Sequence, residues 1–505
     1  MEVNQLKAGA VLNYAVLILN TLVNLLYTPY MLRMMGQSEY GLYSLVASVI
    51  GCLTILDLGF GNAIVRYTAK YRAEGKTEEQ YKMFGMFLIL YIVIGVIAFC
   101  SGLGLYFNVD NMFRDIMTAI ELEHTRVMML ILIFNLAFTF PMSIFGSIMS
   151  AYERFVFPKI INIIRICLNT AIMIVLLNMG YKAIAMVSLM TVFNAVTLII
   201  NYIYCKRVLH VKIKYGKFQW GFLAEVSVYS LWIFLNAIMD KVYWSTGQFV
   251  LGAVAGTVAV SVFAVAIQLQ SMYLQFSTAI SSVFLPKVTS MVTQNAKDEE
   301  LSELFIRTGR IQNLIMSLIL FGFIVFGQQF VNLWAGEGYS NAYYMTLAFF
   351  ISLYIPLIQN MGITILQARN QMRFRSLLYI VLAFIALVFE IIFAKTWGGI
   401  GCALAVSIAL LIGQGLIMNI YYQRVQHLNI LKFWKEIIKM DLIPFSLTVF
   451  ALYFTRYVVN INGWLTLGLG VITYSILYVT LLIPFVMNSY ERSLLVKPII
   501  KKIKG

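Results

Sequence analysis

Residues 127–149 read VMMLILIFNLAFTFPMSIFGSIM, twenty-three positions without a charge. A helix needs about 20 mostly apolar residues to cross the hydrocarbon of a bilayer, and this run supplies them. Working outward, runs of the same kind recur near 9–31, 41–63, 83–106, 159–179, 183–204, 223–246, 257–285, 311–333, 343–366, 376–395, 399–421, 440–459 and 463–486. That makes about fourteen crossings, with nothing between them large enough to fold alone. The composition agrees: the 505 residues are 61% hydrophobic and 12% charged, with a mean hydropathy of +0.84. A soluble domain carries about 25% charge. The expected fold class is an all-α membrane protein.

Charge sets the orientation. An even number of spans puts both termini on one side. The N-terminus and the loops after even-numbered spans hold about 29 of the 37 basic residues, Arg66, Lys70, Arg72 and Lys76 after span 2 among them. The opposite loops hold about six, Arg33, Arg114, Arg126, Lys182, Lys395 and Arg456. By the positive-inside rule both termini are expected in the cytoplasm. The start, MEVNQLKAGA, reads as the lead-in to an uncleaved first span. Cys52, Cys100, Cys167, Cys205 and Cys402 fall in or beside apolar runs without a CxxC pair, so they read as small buried side chains.

The opening run also has a counterpart roughly 215–220 residues later. Pro141 corresponds to Pro356, and each is followed by a similar exit, SAYERF (150–155) and QARNQ (367–371). GYKAIA (180–185) matches WGGIGCA (397–403), and YCKRV (204–208) matches YYQRV (421–425). The expected organisation is a six-helix lobe over 1–210, a second over 211–430, and two added spans with a basic tail over 431–505. Parallel repeats of this kind are a recurrent transporter plan, with the substrate path between the halves. Both prolines should kink their helices.

Polar side chains inside the spans mark the path. Asn13, Asn20, Asn24 and Tyr27 of span 1 are spaced 7, 4 and 3 apart, which is one helical face. Span 7 shows Tyr229, Asn236 and Asp240 on one face, and span 8 shows Gln268 and Gln275. A cavity lined by these faces competes with plain interhelical hydrogen bonding. Among ionisable residues, Arg165, Lys241, Arg66 and Arg33 are candidates to attract an anionic substrate. Asp57, Asp240 and Glu390 are candidates for coupling to a proton or sodium ion. Structural ion pairs and snorkelling at helix ends are the competing reading. Asp57 and Arg66, nine residues apart, stand half a turn out of phase on a continuous helix.

No cofactor is expected. The chain has no GxxxxGK[ST] for ATP, and His124, His210 and His427 are scattered in predicted loops without metal-ligand spacing. A membrane glycan polymerase or glycosyltransferase is the enzymatic alternative. Its carboxylates would have to come from Asp110, Asp115, Glu121 and Glu123 in the longest outer loop, which read instead as a solvated face.

GQSEYGLYSL (36–45), LDLGFGNAIVRY (56–67) and LNAIMDKVYWSTGQFVLG (235–252) carry a resemblance to the polysaccharide and O-antigen flippases (Wzx-like) of the multidrug/oligosaccharidyl-lipid/polysaccharide exporter superfamily. The resemblance implies a two-lobed bundle working by alternating access in the bacterial inner membrane. The substrate it implies is an undecaprenyl diphosphate-linked oligosaccharide, carried from the cytoplasmic to the outer leaflet. It also implies an ion-gradient drive, and glycosyltransferases and a polymerase of the same pathway as partners. Nucleic acid is not an expected partner. A lipid II flippase and a cation-coupled multidrug antiporter are the neighbouring alternatives.

Overall fold

Lipid offers no hydrogen-bond partners, so a chain crossing it must satisfy its backbone internally. The computed structural model describes residues 5–216, 220–282, 288, 290–292, 294, 296–457 and 463–493, and these form helices without a strand. In chain order they are α1 (Gln5–Met35), α2 (Gln37–Leu53), α3 (Phe60–Ala73), α4 (Thr77–Phe107), α5 (Val109–Phe113), α6 (Ala119–Ala151), α7 (Val156–Asn178), α8 (Ala183–Arg207), α9 (Trp220–Val254) and α10 (Gly256–Ser282). They continue as α11 (Asp298–Trp334), α12 (Ala342–Ile358), α13 (Asn360–Ala368), α14 (Arg373–Leu410), α15 (Met418–Arg424), α16 (Ile430–Tyr457), α17 (Trp464–Phe485) and the short α18 (Ser489–Glu491).

In its described residues, each of the fourteen apolar runs falls on a helix or a broken helix. Among the described residues, eleven helical stretches are long and apolar enough to cross a membrane, or twelve if α12 and α13, bent by 44°, count as one span. Two runs account for the difference. Arg373–Arg424 passes as one stretch, although Gly398 (φ 55, ψ −135) turns the chain between the runs at 376–395 and 399–421. The run at 223–246 lies on α9, several of whose side chains lie outside the described residues. The surface is apolar where a soluble protein's would not be. On α4, Ile92, Val93, Val96 and Ile97 face outward while Phe84, Phe87, Tyr91 and Ile94 are buried. Exposing such a stripe to water would cost roughly 25 cal/mol per Å²; hydrocarbon removes that cost. This is a multi-pass α-helical membrane protein.

The described residues fall into two compact units, Met1–Ala264 and Val265–Gly505. In the first, α6 is central: α2, α3, α4 and α8 all pack on it, α1 lies along α7, and α9 packs on α2 and α3. In the second, α11 is central, holding α12, α16 and α17, with α14 against α12.

Span 2 departs from the expected continuous helix. After α2 the chain tightens into a 3₁₀ turn at Thr54–Asp57, then Leu58 (φ 52) and Gly59 (φ 72) both adopt left-handed conformations before α3 begins. Two such residues in succession end a right-handed helix. Asp57 and Arg66 therefore lie on opposite sides of a break, and the helical phase relation expected between them does not apply. The prolines also differ. Pro356 precedes the 44° bend at Gln359 by three residues, whereas Pro141 sits within the unbroken α6, its ring against the tight crossing of Gly95 on α4.

Candidate functional site

Within the first unit, α1, α2, α6, α7 and α8 enclose a cavity of about 620 Å³. The 3.6-residue repeat turns Asn20, Asn24 and Tyr27 of α1 toward it. Across from them α7 presents Arg165 and Asn169, α6 presents Asn135 and Thr139, and α8 presents Asn194. Tyr43, Gly51 and Thr54 add the wall formed by span 2 before its break. Arg165 is the one charged side chain among the described lining residues; no carboxylate joins it.

The hydrogen bonding is partly committed. Asn194 Nδ2 donates to Asn135 Oδ1 and to Thr139 Oγ1, each at 2.8 Å, which ties α8 to α6. Arg165 Nη2 donates to Asn162 Oδ1 at 2.9 Å, one helical turn back, which leaves the rest of its five-donor fork for another partner. Asn169 Oδ1 and the Tyr27 hydroxyl are buried without a hydrogen-bond partner among the described residues. Buried polar groups normally find one, so this wall has unspent capacity to bind something polar.

The structure brings together Asn20, Asn24 and Arg165 from the sequence-derived set. Lys241 is not among the lining residues, but its Nζ is 3.7 Å from where a Cβ on the lining residue Gly51 would stand. Asn13 lies further along α1, its Oδ1 accepting from Lys159 Nζ at 2.7 Å. Arg33 and Arg66 are exposed, the latter over the Tyr67 ring at 5.8 Å. Asn236 is half-buried and Asp240 exposed on α9, neither is among the residues lining this cavity, and the side chain of Tyr229 lies outside the described residues. Gln268 and Gln275 belong to the part of α10 in the second unit. Glu390, also there, is fully buried, and its backbone carbonyl accepts from Cys402 Sγ. Asp57 accepts from the Tyr91 hydroxyl and the Gly59 N–H, which braces the break in span 2.

Asn135, Thr139, Asn169 and Asn194 were not anticipated. The signal was present: Asn135 and Thr139 are four apart, and Asn162, Arg165 and Asn169 are three and four apart, the face spacing that singled out span 1.

Of the four carboxylates over 110–123, Asp115 and Glu123 are exposed, as a solvated face would have them, and the other two are structural. Glu121 closes a capping box with Thr118 and accepts from Ser38 Oγ at 2.5 Å and Thr257 Oγ1 at 2.8 Å. It is thus a helix cap tying α6 to α2 and α10, not part of a solvated face. Asp110 pairs with Arg126. His124 lies in the first turns of α6 rather than in a loop, 3.0 Å from Glu39 Oε1. Glu39 Oε2 also takes the Ala183 N–H at the start of α8. Among the described residues no group of three His, Cys, Asp or Glu side chains is placed to hold a metal.

Known proteins resemble this chain in sequence and in fold. The family model described as "Polysaccharide biosynthesis protein" matches residues 6–292. The "Uncharacterized membrane protein EpsK" of Bacillus subtilis (strain 168) is 20% identical over 504 residues, covering 98% of this chain and 97% of that one. The solved structure of the lipid II flippase MurJ in an inward closed conformation superposes with a TM-score of 0.71 at 16% identity, covering 94% of this chain and 98% of its own. An inward-facing multidrug resistance MATE family transporter of the MOP superfamily gives 0.62 at 16% identity, over 79% of this chain and 97% of its own.

Proposed function

The chain belongs to the polysaccharide biosynthesis protein family, and from that premise we propose that it is a flippase for an undecaprenyl diphosphate-linked oligosaccharide. It takes the lipid from the cytoplasmic leaflet of a bacterial inner membrane and releases it on the outer leaflet by alternating access, both of its own termini being cytoplasmic. A proton or sodium gradient drives the cycle.

The observation that carries this reading is the cavity of the first unit, polar and cationic inside an apolar bundle. A sugar presents hydroxyls that both donate and accept, and amide side chains do the same. Asn20, Asn24, Asn135, Asn169 and Asn194 form such a surface. A diphosphate is an anion, and a guanidinium meets it with paired charge-assisted hydrogen bonds. Arg165 stands where that contact can form, while the prenyl chain stays in lipid. The fold is shared with the lipid II flippase MurJ, whose name indicates a lipid-borne substrate.

The second reading is a multidrug antiporter, since the MATE fold is also shared. A cavity built for cations calls for carboxylates, and the described wall has an arginine instead.

The test is reconstitution in liposomes with a radiolabelled polyprenyl diphosphate oligosaccharide, following its accessibility to a membrane-impermeant glycosidase. Wild-type protein should expose the sugar on the opposite leaflet, and the Arg165→Ala variant should lose most of the rate. Consumption of a sugar donor without any change of leaflet would point to an enzyme and overturn the reading.

A further inference from the structure

The second unit holds a carboxylate that the cavity of the first does not explain. Asp441 lies on α16, two residues beyond Lys439 and before an uncharged stretch that lasts to Arg456. It is half-buried, and its partners come from two other helices. Asn313 on α11 donates from Nδ2 to Asp441 Oδ1 at 3.0 Å. The hydroxyl of Tyr354 on α12 lies 2.8 Å from both Oδ1 and Oδ2, and it also contacts Asn313 Oδ1. Asn313 and Tyr354 are themselves buried.

The groups facing this carboxylate are neutral or already matched. From α10 comes Tyr273, and from α17 come Tyr478 and, behind it, Tyr474. Tyr478 is engaged by Ser317 Oγ at 2.6 Å and the Leu314 carbonyl at 2.8 Å. On α16 itself Lys439 is exposed, and Glu436 pairs with Arg310 at 2.7 Å. Arg310 on α11 is held at the same time by Glu491 at 2.6 Å, so its one charge already answers two carboxylates. Among the described residues no basic side chain pairs with Asp441.

A carboxylate in a low-dielectric bundle without a counter-cation is relieved by a proton or by a bound metal ion. The local chemistry favours the proton. A metal cation asks for several oxygen ligands at once, and here the neighbours present an N–H and an O–H. A proton asks for one acceptor, and the Tyr354 hydroxyl oxygen is in place, with Asn313 Oδ1 in reach to take the hydroxyl's own proton.

We propose that Asp441, with Asn313 and Tyr354, is a proton-binding site of the second unit. Uptake converts the carboxylate to a carboxylic acid whose O–H is accepted by the Tyr354 hydroxyl oxygen, while that hydroxyl turns its own proton to Asn313 Oδ1. Release reverses both changes. The three residues sit on α16, α11 and α12, so the proton changes how an added span is tied to the six-helix core. Its coupling to transport rests on the flippase reading; the binding of the proton does not.

The test is an infrared difference titration of the purified full-length protein, read at the protonated-carboxyl band. The wild type should show a band that titrates with pH. Asp441→Asn should remove it, and Asp240→Asn and Glu390→Gln should retain it. Tyr354→Phe deletes a donor to the charged form and should move the midpoint to higher pH, by about one unit, a tenfold change in proton affinity. A band absent from the wild type or unchanged in Asp441→Asn overturns the proposal, as does loss of the band on adding sodium at constant pH. In proteoliposomes an imposed pH gradient should speed lipid flipping by the wild type and leave Asp441→Asn unresponsive; equal responses overturn the coupling. Failure of the wild type to flip the lipid at all would sink the flippase reading alone, because the titration needs no substrate.

Discussion

Arg165 shows how much one side chain can be asked to do. Its guanidinium spends one donor on Asn162 and faces a cavity of amides, so a diphosphate there would meet a cation held in place by its own helix. Hydrogen bonds to charged groups contribute about 1.5–3 kcal/mol. Arg165→Ala should therefore weaken binding of a short polyprenyl diphosphate to the purified protein by roughly 10- to 150-fold. Arg165→Lys should recover part of that, since it restores the charge but not the fork. Equal affinities for all three proteins, measured by isothermal titration, would remove Arg165 from the site. Arg165 was legible in the sequence because a charge inside an apolar run stands out, and Asn20 and Asn24 because their spacing repeats. Asn135, Asn169 and Asn194 carried no charge to draw the eye. Asp441 was hidden differently: it follows Lys432, Lys435 and Lys439, so it reads as the edge of a basic helix end.

Among the elements, the stretches that carry the family resemblance turn out to meet one another. Gly41, in the first of them, crosses α10 so closely that a Cβ would stand 1.8 Å from the Thr257 carbonyl oxygen. A Cβ on Gly252, in the third, would stand 2.6 Å from Leu45 Cδ1 of the first. LDLG in the second is the break in span 2, where Gly59 supplies a φ of 72. These motifs encode helix crossings and a chain break, geometry that hydropathy does not register; that is why span 2 was expected whole. Gly41→Ala must push α2 off α10, and overpacking of this kind costs about 1–3 kcal/mol. Its melting temperature in detergent should fall while Ala47→Gly, on the same helix, changes it less; equal melting would show the crossing to be slack. The second unit has a polar counterpart. Arg310, with a side chain 8% exposed, joins α11 to Glu436 on α16 and to the fully buried Glu491 beyond α17. Removing one partner of a buried ion pair costs about 3–5 kcal/mol, whereas removing all the charges together can be nearly neutral. Arg310→Met should thus lose most of its yield of folded protein, and Arg310→Met with Glu436→Gln and Glu491→Gln should regain it. A triple variant no better than the single one would mean that the charges do more than cancel.

For the molecule as a whole, what the sequence could carry and what it could not divide along physical lines. Burial in lipid is paid residue by residue, so the apolar runs, and with them the all-helical membrane class, are written locally in the chain. The division into compact units depends on which helices touch, and its boundary at Ala264 falls inside α10, where no change of composition marks it. Orientation lies between these cases, because it is local in the loops but means something only as a sum over all of them. That sum gives a prediction sensitive to every span at once. Lys76 lies between α3 and α4 and Tyr181 between α7 and α8, and both are exposed. With the five native cysteines replaced, a membrane-impermeant maleimide applied to intact cells should label Tyr181→Cys and leave Lys76→Cys unlabelled until the cells are broken. The span from α4 through α7 crosses the bilayer three times in that arrangement, so a single miscounted helix would put both positions on the same side. Labelling of Lys76→Cys alone would invert the molecule, and with it the direction in which the Arg165 cavity loads its lipid.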